Sequence, residues 1–226
     1  MTLIIGIFIR DNHNKKEIFF ASDGLAVTYK DNKKIAQRED VEKIRKLTPK
    51  ICMGYTGKNG ELFKDVFDEL KNRTPQKLKK ELEPFVETLR EVILNMLETK
   101  KHKEIEKELT QRNKVNNRFI VGGVFDCKLI LVRACSDKNF AGSVYEAAPI
   151  PDIEPYVAGA TDEIQKETWD ILKKKLGRGQ SNDEIEKIIR DAISEIAERY
   201  PKEINNHIFI RRLSRNFDRN DKKDIN

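Results

Sequence analysis

Apolar positions in this chain follow two rhythms. Short runs rich in β-branched residues read as strands: the first ten residues, 18–21, 51–55, 119–125 and 129–135, with weaker runs at 140–147, 156–159 and 204–210. Between them the apolar residues recur at three- and four-residue steps. Leu62, Phe63, Val66, Phe67 and Leu70 predict one amphipathic helix that stops at Asn72-Arg73-Thr74-Pro75. Leu78, Leu82, Phe85, Leu89, Val92, Ile93, Met96 and Leu97 predict a second, with Pro84 bending it near its start. Two more are expected over 162–176 and 182–199. Trp169, Ile171 and Leu172 would be the contacts of the former, and Ile185, Ile188, Ile189, Ala192, Ile193 and Ile196 those of the latter. Ser181 and Glu184 suit a helix cap.

Strands, two helices, strands, two helices and a closing strand make a mixed α/β or α+β sandwich in a single domain over 1–214. Tight turns near 12–15 and at Asp126-Cys127 join neighbouring strands, while Pro149, Pro151 and Pro155 suggest an edge or loop. Residues 25–40 predict an irregular or short-stranded excursion. Two segments stand apart. The stretch 98–116 is mostly Lys, Glu, Gln and Asn and reads as a charged, solvated helical extension, and 215–226 as a polar tail.

Charge changes this picture little. The net charge of +6 and pI near 9.0 invite a nucleic-acid reading, but 38 acidic residues are interspersed with the 44 basic ones, which makes a mixed surface. Nucleic acid is not expected as a partner. No apolar stretch approaches the length of a membrane span, so no membrane partner is expected either. Cys52, Cys127 and Cys135 lie in apolar runs without CxxC spacing, which suits buried, reduced thiols in a cytoplasmic protein. His13, His102 and His207 are scattered, so neither a metal nor a cofactor is expected.

The candidate chemistry lies at the beginning of the chain. No leader precedes the first apolar run, so the chain end is expected to be structural. Removal of Met1 would expose Thr2, a hydroxyl nucleophile with an α-amine of pKa about 7.7 to 8.0 on the same carbon. A first hairpin would pair residues whose numbers sum to about 27, which brings Asp23 beside Thr2. The plainer alternative is that Thr2 merely opens a central strand.

Several further motifs follow: Asp23-Gly24 after the second strand, Lys43-Ile44-Arg45-Lys46-Leu47, Met53-Gly54-Tyr55-Thr56-Gly57 before a helix, a hairpin around Gly122-Gly123, and Asn205-Asn206-His207 near the end. Together they resemble the proteasome β-subunit superfamily of N-terminal-nucleophile (Ntn) hydrolases, most closely its HslV type. The resemblance covers 2–72 well and 117–214 moderately. It implies an α+β fold, specifically a four-layer αββα sandwich of two mainly antiparallel sheets between helical layers. It also implies a threonine endopeptidase in which Thr2 attacks, Asp23 and Lys43 assist, and the Gly57 amide stabilises the oxyanion. Self-assembly into a ring-like homo-oligomer follows, with peptide or unfolded protein as substrate and, as an option, an ATPase unfoldase as partner.

Two departures stand out. Gly159-Ala160-Thr161 occupies a place where the family has a serine, and Ala160 has no side-chain hydrogen bond to offer. Thr161 or water then substitutes, or turnover is weak. Pro201 interrupts the segment in which HslV-type subunits hold a cation, so no metal is expected there. A catalytically weak or inactive scaffold subunit therefore stands as the alternative, together with a related amide-transferring Ntn enzyme. For Asp23 and Lys43 the alternative role is a buried ion pair.

Overall fold

The computed structural model describes residues 3–10, 16–30, 33–57, 60–73, 81–99, 118–125, 128–135, 139–146, 154–158, 161–177 and 179–214. Alternation along the strands builds the layers. In β1 (Ile4–Arg10) and the residue before it, Leu3, Ile5 and Ile7 pack on one side and Ile4 on the other. In β2 (Lys16–Asp23), Phe19 and Ala21 join the first group, and Ile18 and Phe20 the second. With β10 (Glu154–Ala158) and β11 (Ile208–Ser214) they form a four-stranded sheet in the order β10-β1-β2-β11.

The second sheet has five strands: β5 (Ile44–Thr48), β6 (Ile51–Thr56), β7 (Arg118–Phe125), β8 (Lys128–Cys135) and β9 (Gly142–Glu146), side by side in chain order. Here Met53, Phe119, Val121 and Val132 face α1 (Gly60–Arg73) and α2 (Leu82–Glu98), whereas Cys52, Ile120, Leu129 and Leu131 meet the first sheet. The outer face of the four-stranded sheet is covered by α3 (Asp162–Lys175) and α4 (Asn182–Arg199). Among the described residues, all strand pairings in the two sheets are antiparallel. The result is an α+β sandwich of four layers, αββα. The excursion after β2 is a separate two-stranded hairpin of β3 (Ala26–Lys30) and β4 (Lys33–Arg38).

Several expectations need correction. The apolar stripe of α3 is Ile164, Thr168, Ile171 and Leu172; Trp169 is only half-buried, with the Lys173 ammonium 4.3 Å above its ring. A four-residue step from Ile164 points Thr168 inward, and its hydroxyl is satisfied by the Ile164 carbonyl at 2.6 Å. The closing strand begins at Ile208 rather than at 204, because the Asn205 side chain occupies backbone groups that a strand ladder would use. Likewise β9 begins at Gly142, after Asn139 and Phe140 take left-handed conformations with φ of 49° and 54°. Pro84, by contrast, lies near the start of α2 as expected, in the first turn, where its missing N–H removes no intrahelical bond.

Other expectations hold. Pro155 lies in β10, an edge strand of its sheet. Ser181 and Glu184 form a reciprocal capping box on α4. Cys52 and Cys135 are buried free thiols. The expectations for Met1, Thr2, His13, Leu78, His102, Cys127, Gly159, Ala160, most of the 98–116 extension and the 215–226 tail lie outside the described residues.

Candidate active site

Strand β2 ends at Asp23, whose side chain is 0% exposed. A buried carboxylate needs donors, and four contacts supply them. Its Oδ1 accepts from the Leu3 backbone N–H at 2.9 Å and from Lys43 Nζ at 2.9 Å. Its Oδ2 accepts from the Leu25 N–H at 3.0 Å and from Lys43 Nζ at 3.0 Å. The hairpin register explains the first contact: Ile4 lies opposite Ser22, so the pairs sum to 26 and Asp23 faces Leu3 rather than Thr2. The nitrogen that meets Asp23 belongs to the Thr2–Leu3 peptide bond.

Lys43 immediately precedes β5, at the edge of the other sheet, so its pair with Asp23 joins the two sheets. Burial drives the Lys43 pKa below its usual 10.5, since a low-dielectric site disfavours the ammonium. The charge and hydrogen bonds of Asp23 work against that shift without reversing it. Glu42, the residue before Lys43, pairs with Arg211 of β11, whose guanidinium stands 2.6 Å from its carboxylate. The acidic neighbour in sequence is thus engaged elsewhere.

Gly57 follows β6 directly, before α1 begins at Gly60. Because Ile44 pairs with Gly54, Gly57 and Lys43 lie at the same end of the five-stranded sheet. At that end Thr56 pairs with Arg118 of β7. The Arg118 guanidinium donates to the Gln165 side chain at 2.5 Å and stands 3.9 Å from the Asp162 carboxylate, which ties β7 to the first turn of α3. Thr161 caps that helix: its hydroxyl oxygen accepts from the Ile164 N–H at 3.2 Å.

Of the residues expected from sequence, Asp23 and Lys43 are brought into contact, and Gly57 is placed at the same end of the sheet as Lys43. Thr2 lies outside the described residues. Sequence reasoning missed the Leu3 and Leu25 amides, whose side chains carry no signal of their role. It also missed Asn205, which accepts from the Gly24 N–H at 3.0 Å and donates to the Glu39 carbonyl at 3.0 Å. An asparagine beside a turn is a frequent partner for backbone groups, and that signal was there to be read. Among the described residues no three His, Cys, Asp or Glu side chains gather as a metal site would require.

No family model matches the chain, and no curated protein matches it. Solved structures do. Eukaryotic HslV from Trypanosoma brucei superposes with a TM-score of 0.54 over 92% of this chain and 98% of that one, at 12% sequence identity. The likeness establishes a proteasome-like, HslV-like fold. Among the described residues no helix is long and apolar enough to cross a membrane.

Proposed function

We propose that this chain is a threonine endopeptidase of the proteasome and HslV type, in which Thr2, freed by removal of Met1, is the nucleophile. The observation that carries the reading is the convergence on Asp23 of Lys43 Nζ and the nitrogen of the Thr2–Leu3 peptide bond, both at 2.9 Å from Oδ1. That contact holds Leu3, the residue after Thr2 in sequence, against a buried carboxylate–ammonium pair, in a fold like that of an HslV.

In the proposed reaction the Thr2 Oγ adds to a peptide carbonyl carbon while its proton passes to the free α-amine. The Lys43 ammonium, held against Asp23, supplies positive charge that eases loss of the hydroxyl proton. Negative charge on the carbonyl oxygen is held by the Gly57 N–H. Collapse breaks the C–N bond, the leaving amine takes the proton, and an ester on Thr2 remains. Water then hydrolyses the ester and returns the hydroxyl. In this role Asp23 fixes the ammonium and the start of β1 without itself reacting.

The same reading extends to a single domain over 1–214 that assembles as a ring-like homo-oligomer in the cytoplasm. Its substrate is peptide or unfolded protein, delivered directly or by an ATPase unfoldase. Closure into a ring follows from a repeated head-to-tail interface, and enclosing the site protects folded proteins from it.

Ala160, where a serine would serve the nucleophile, favours a second reading: a weak or inactive scaffold subunit that keeps the fold. One experiment separates the two. Intact mass establishes whether Met1 is lost, and a peptide epoxyketone or boronate is then applied to wild type and to Thr2→Ala. Labelling of wild type alone supports the peptidase. Retained Met1, or equal labelling of both proteins, overturns it in favour of the scaffold.

A further inference from the structure

Asp23 stands at a point where its strand ends and the chain must turn into β3. Its orientation therefore depends on how the peptide that follows it is held. The Gly24 N–H is taken by the side-chain oxygen of Asn205 at 3.0 Å. The same oxygen accepts from the His207 N–H at 3.3 Å, and the Asn205 amide nitrogen donates to the Glu39 carbonyl at 3.0 Å. One side chain thus grips three backbone segments: the turn after Asp23, the return of the β3–β4 hairpin, and the approach to β11.

The fit around Gly24 is close. A Cβ there would stand 2.5 Å from the Glu39 carbonyl oxygen and 3.1 Å from the Cβ of His207. The Val41 N–H donates to the Gly24 carbonyl at 3.0 Å from the other side. The Gly24 nitrogen is bonded to the carbonyl carbon of Asp23, so fixing it fixes the ψ angle of Asp23. It also sets the place of the Leu25 N–H that donates to Asp23 Oδ2.

We propose that Asn205 is a positioning residue for the Asp23–Lys43 pair, acting through the Gly24 peptide to hold the Asp23 carboxylate where it meets Leu3, Leu25 and Lys43. The placement of Asp23 stands on the geometry alone; its consequence for turnover rests on the peptidase reading above.

The test uses the full-length protein with leucine-selective 15N labelling and reads the Leu3 and Leu25 amide protons. Both donate to the Asp23 carboxylate; Leu25 adjoins the Gly24 peptide that Asn205 holds, whereas Leu3 lies in another strand, so movement of the Leu3 amide is the reading that separates Asp23 from the loss of the Asn205 bonds themselves. In Asn205→Ala both resonances are expected to move. In Asn205→Asp, which keeps an oxygen for Gly24 and His207, they are expected to return toward wild type. Turnover of a fluorogenic peptide should show kcat lower by about tenfold to a hundredfold in Asn205→Ala with KM changed by less than about twofold, the pattern of a misplaced group rather than lost binding.

A folded Asn205→Ala with the Leu3 amide unmoved overturns the proposal, as does Asn205→Asp displacing it as far as Asn205→Ala does. If Asn205→Ala does not fold, Asn205→Ser, too short to span the same segments, is read in the same way. Displaced amides with kcat unchanged overturn the link to catalysis. An inactive wild type overturns the peptidase reading while the amide shifts still decide the placement of Asp23.

Discussion

Phe20 and Gly122 meet across the two sheets with no space for a methyl group between them: a Cβ on Gly122 would stand 2.0 Å from Phe20 Cε2 and 2.4 Å from Cζ. The ring is fully buried, so moving it aside would disturb its packed neighbours. Gly122→Ala should therefore destabilise the protein by about 1 to 3 kcal/mol, read as a lower urea midpoint at unchanged slope. Adding Phe20→Leu, which trims the ring that clashes, should cost less than the sum of the two single changes. Additive losses would show that the contact is looser than described.

The Asp23–Lys43 pair should be asymmetric when broken. Asp23→Ala leaves a buried ammonium and the Leu3 and Leu25 N–H groups without their acceptor, whereas Lys43→Met leaves a carboxylate that still accepts from both amides. Removing one partner of a buried pair costs about 3 to 5 kcal/mol. Asp23→Ala is expected at the upper end of that range and Lys43→Met at or below the lower, measured by urea unfolding.

Stability should also carry a signature of Lys43 in its pH dependence. Its folded pKa lies below 10.5 because burial penalises the charge. Between the folded value and 10.5, the unfolded chain holds a proton that the folded chain has released, so stability rises with pH across that window. Below the window both states are protonated, and above it both are neutral. Lys43→Met should lack this rise when its urea midpoints are compared with wild type from pH 7 to 10.

Cys52 gives the opposite sign. Its thiol, buried between the sheets, is pushed up from the usual 9.0 to about 11, mainly by desolvation. From pH 9 to 11 the unfolded chain loses a proton that the folded chain retains, so this group costs up to about 2 to 3 kcal/mol as pH rises through that range. Cys52→Ala should flatten that part of the profile. In the native protein at pH 8, iodoacetamide should reach Cys52 only after urea has unfolded it, as peptide mass mapping would show.

Much of this architecture was legible because alternation and helical spacing are direct consequences of burial. The runs around Phe19, Met53 and Val121 alternate between helix-facing and sheet-facing neighbours as their pattern requires. The contact between Asp23 and Lys43 was legible only through resemblance, since 19 residues separate the two in sequence and nothing local pairs them. The reading failed where a polar side chain replaced a ladder: Asn205 delayed β11 by taking backbone groups, and the Thr168 hydroxyl, satisfied one turn back, let a polar residue enter the core in place of Trp169. In both cases the deciding quantity was where a hydrogen bond went, which hydropathy does not record.

The β3–β4 hairpin occupies the interval between Asp23 and Lys43, and among the described residues its two strands pair with each other and with neither larger sheet. Its root is closed by the Val41–Gly24 backbone bond and by the Asn205 grip on Gly24 and Glu39. With that root fixed, changes of length or composition in the arm are expected to leave the two charged groups on either side in place. A lineage carrying this arrangement could vary that arm by insertion, deletion or recombination, altering what it presents to the outside without rebuilding the junction on which Asp23 and Lys43 depend.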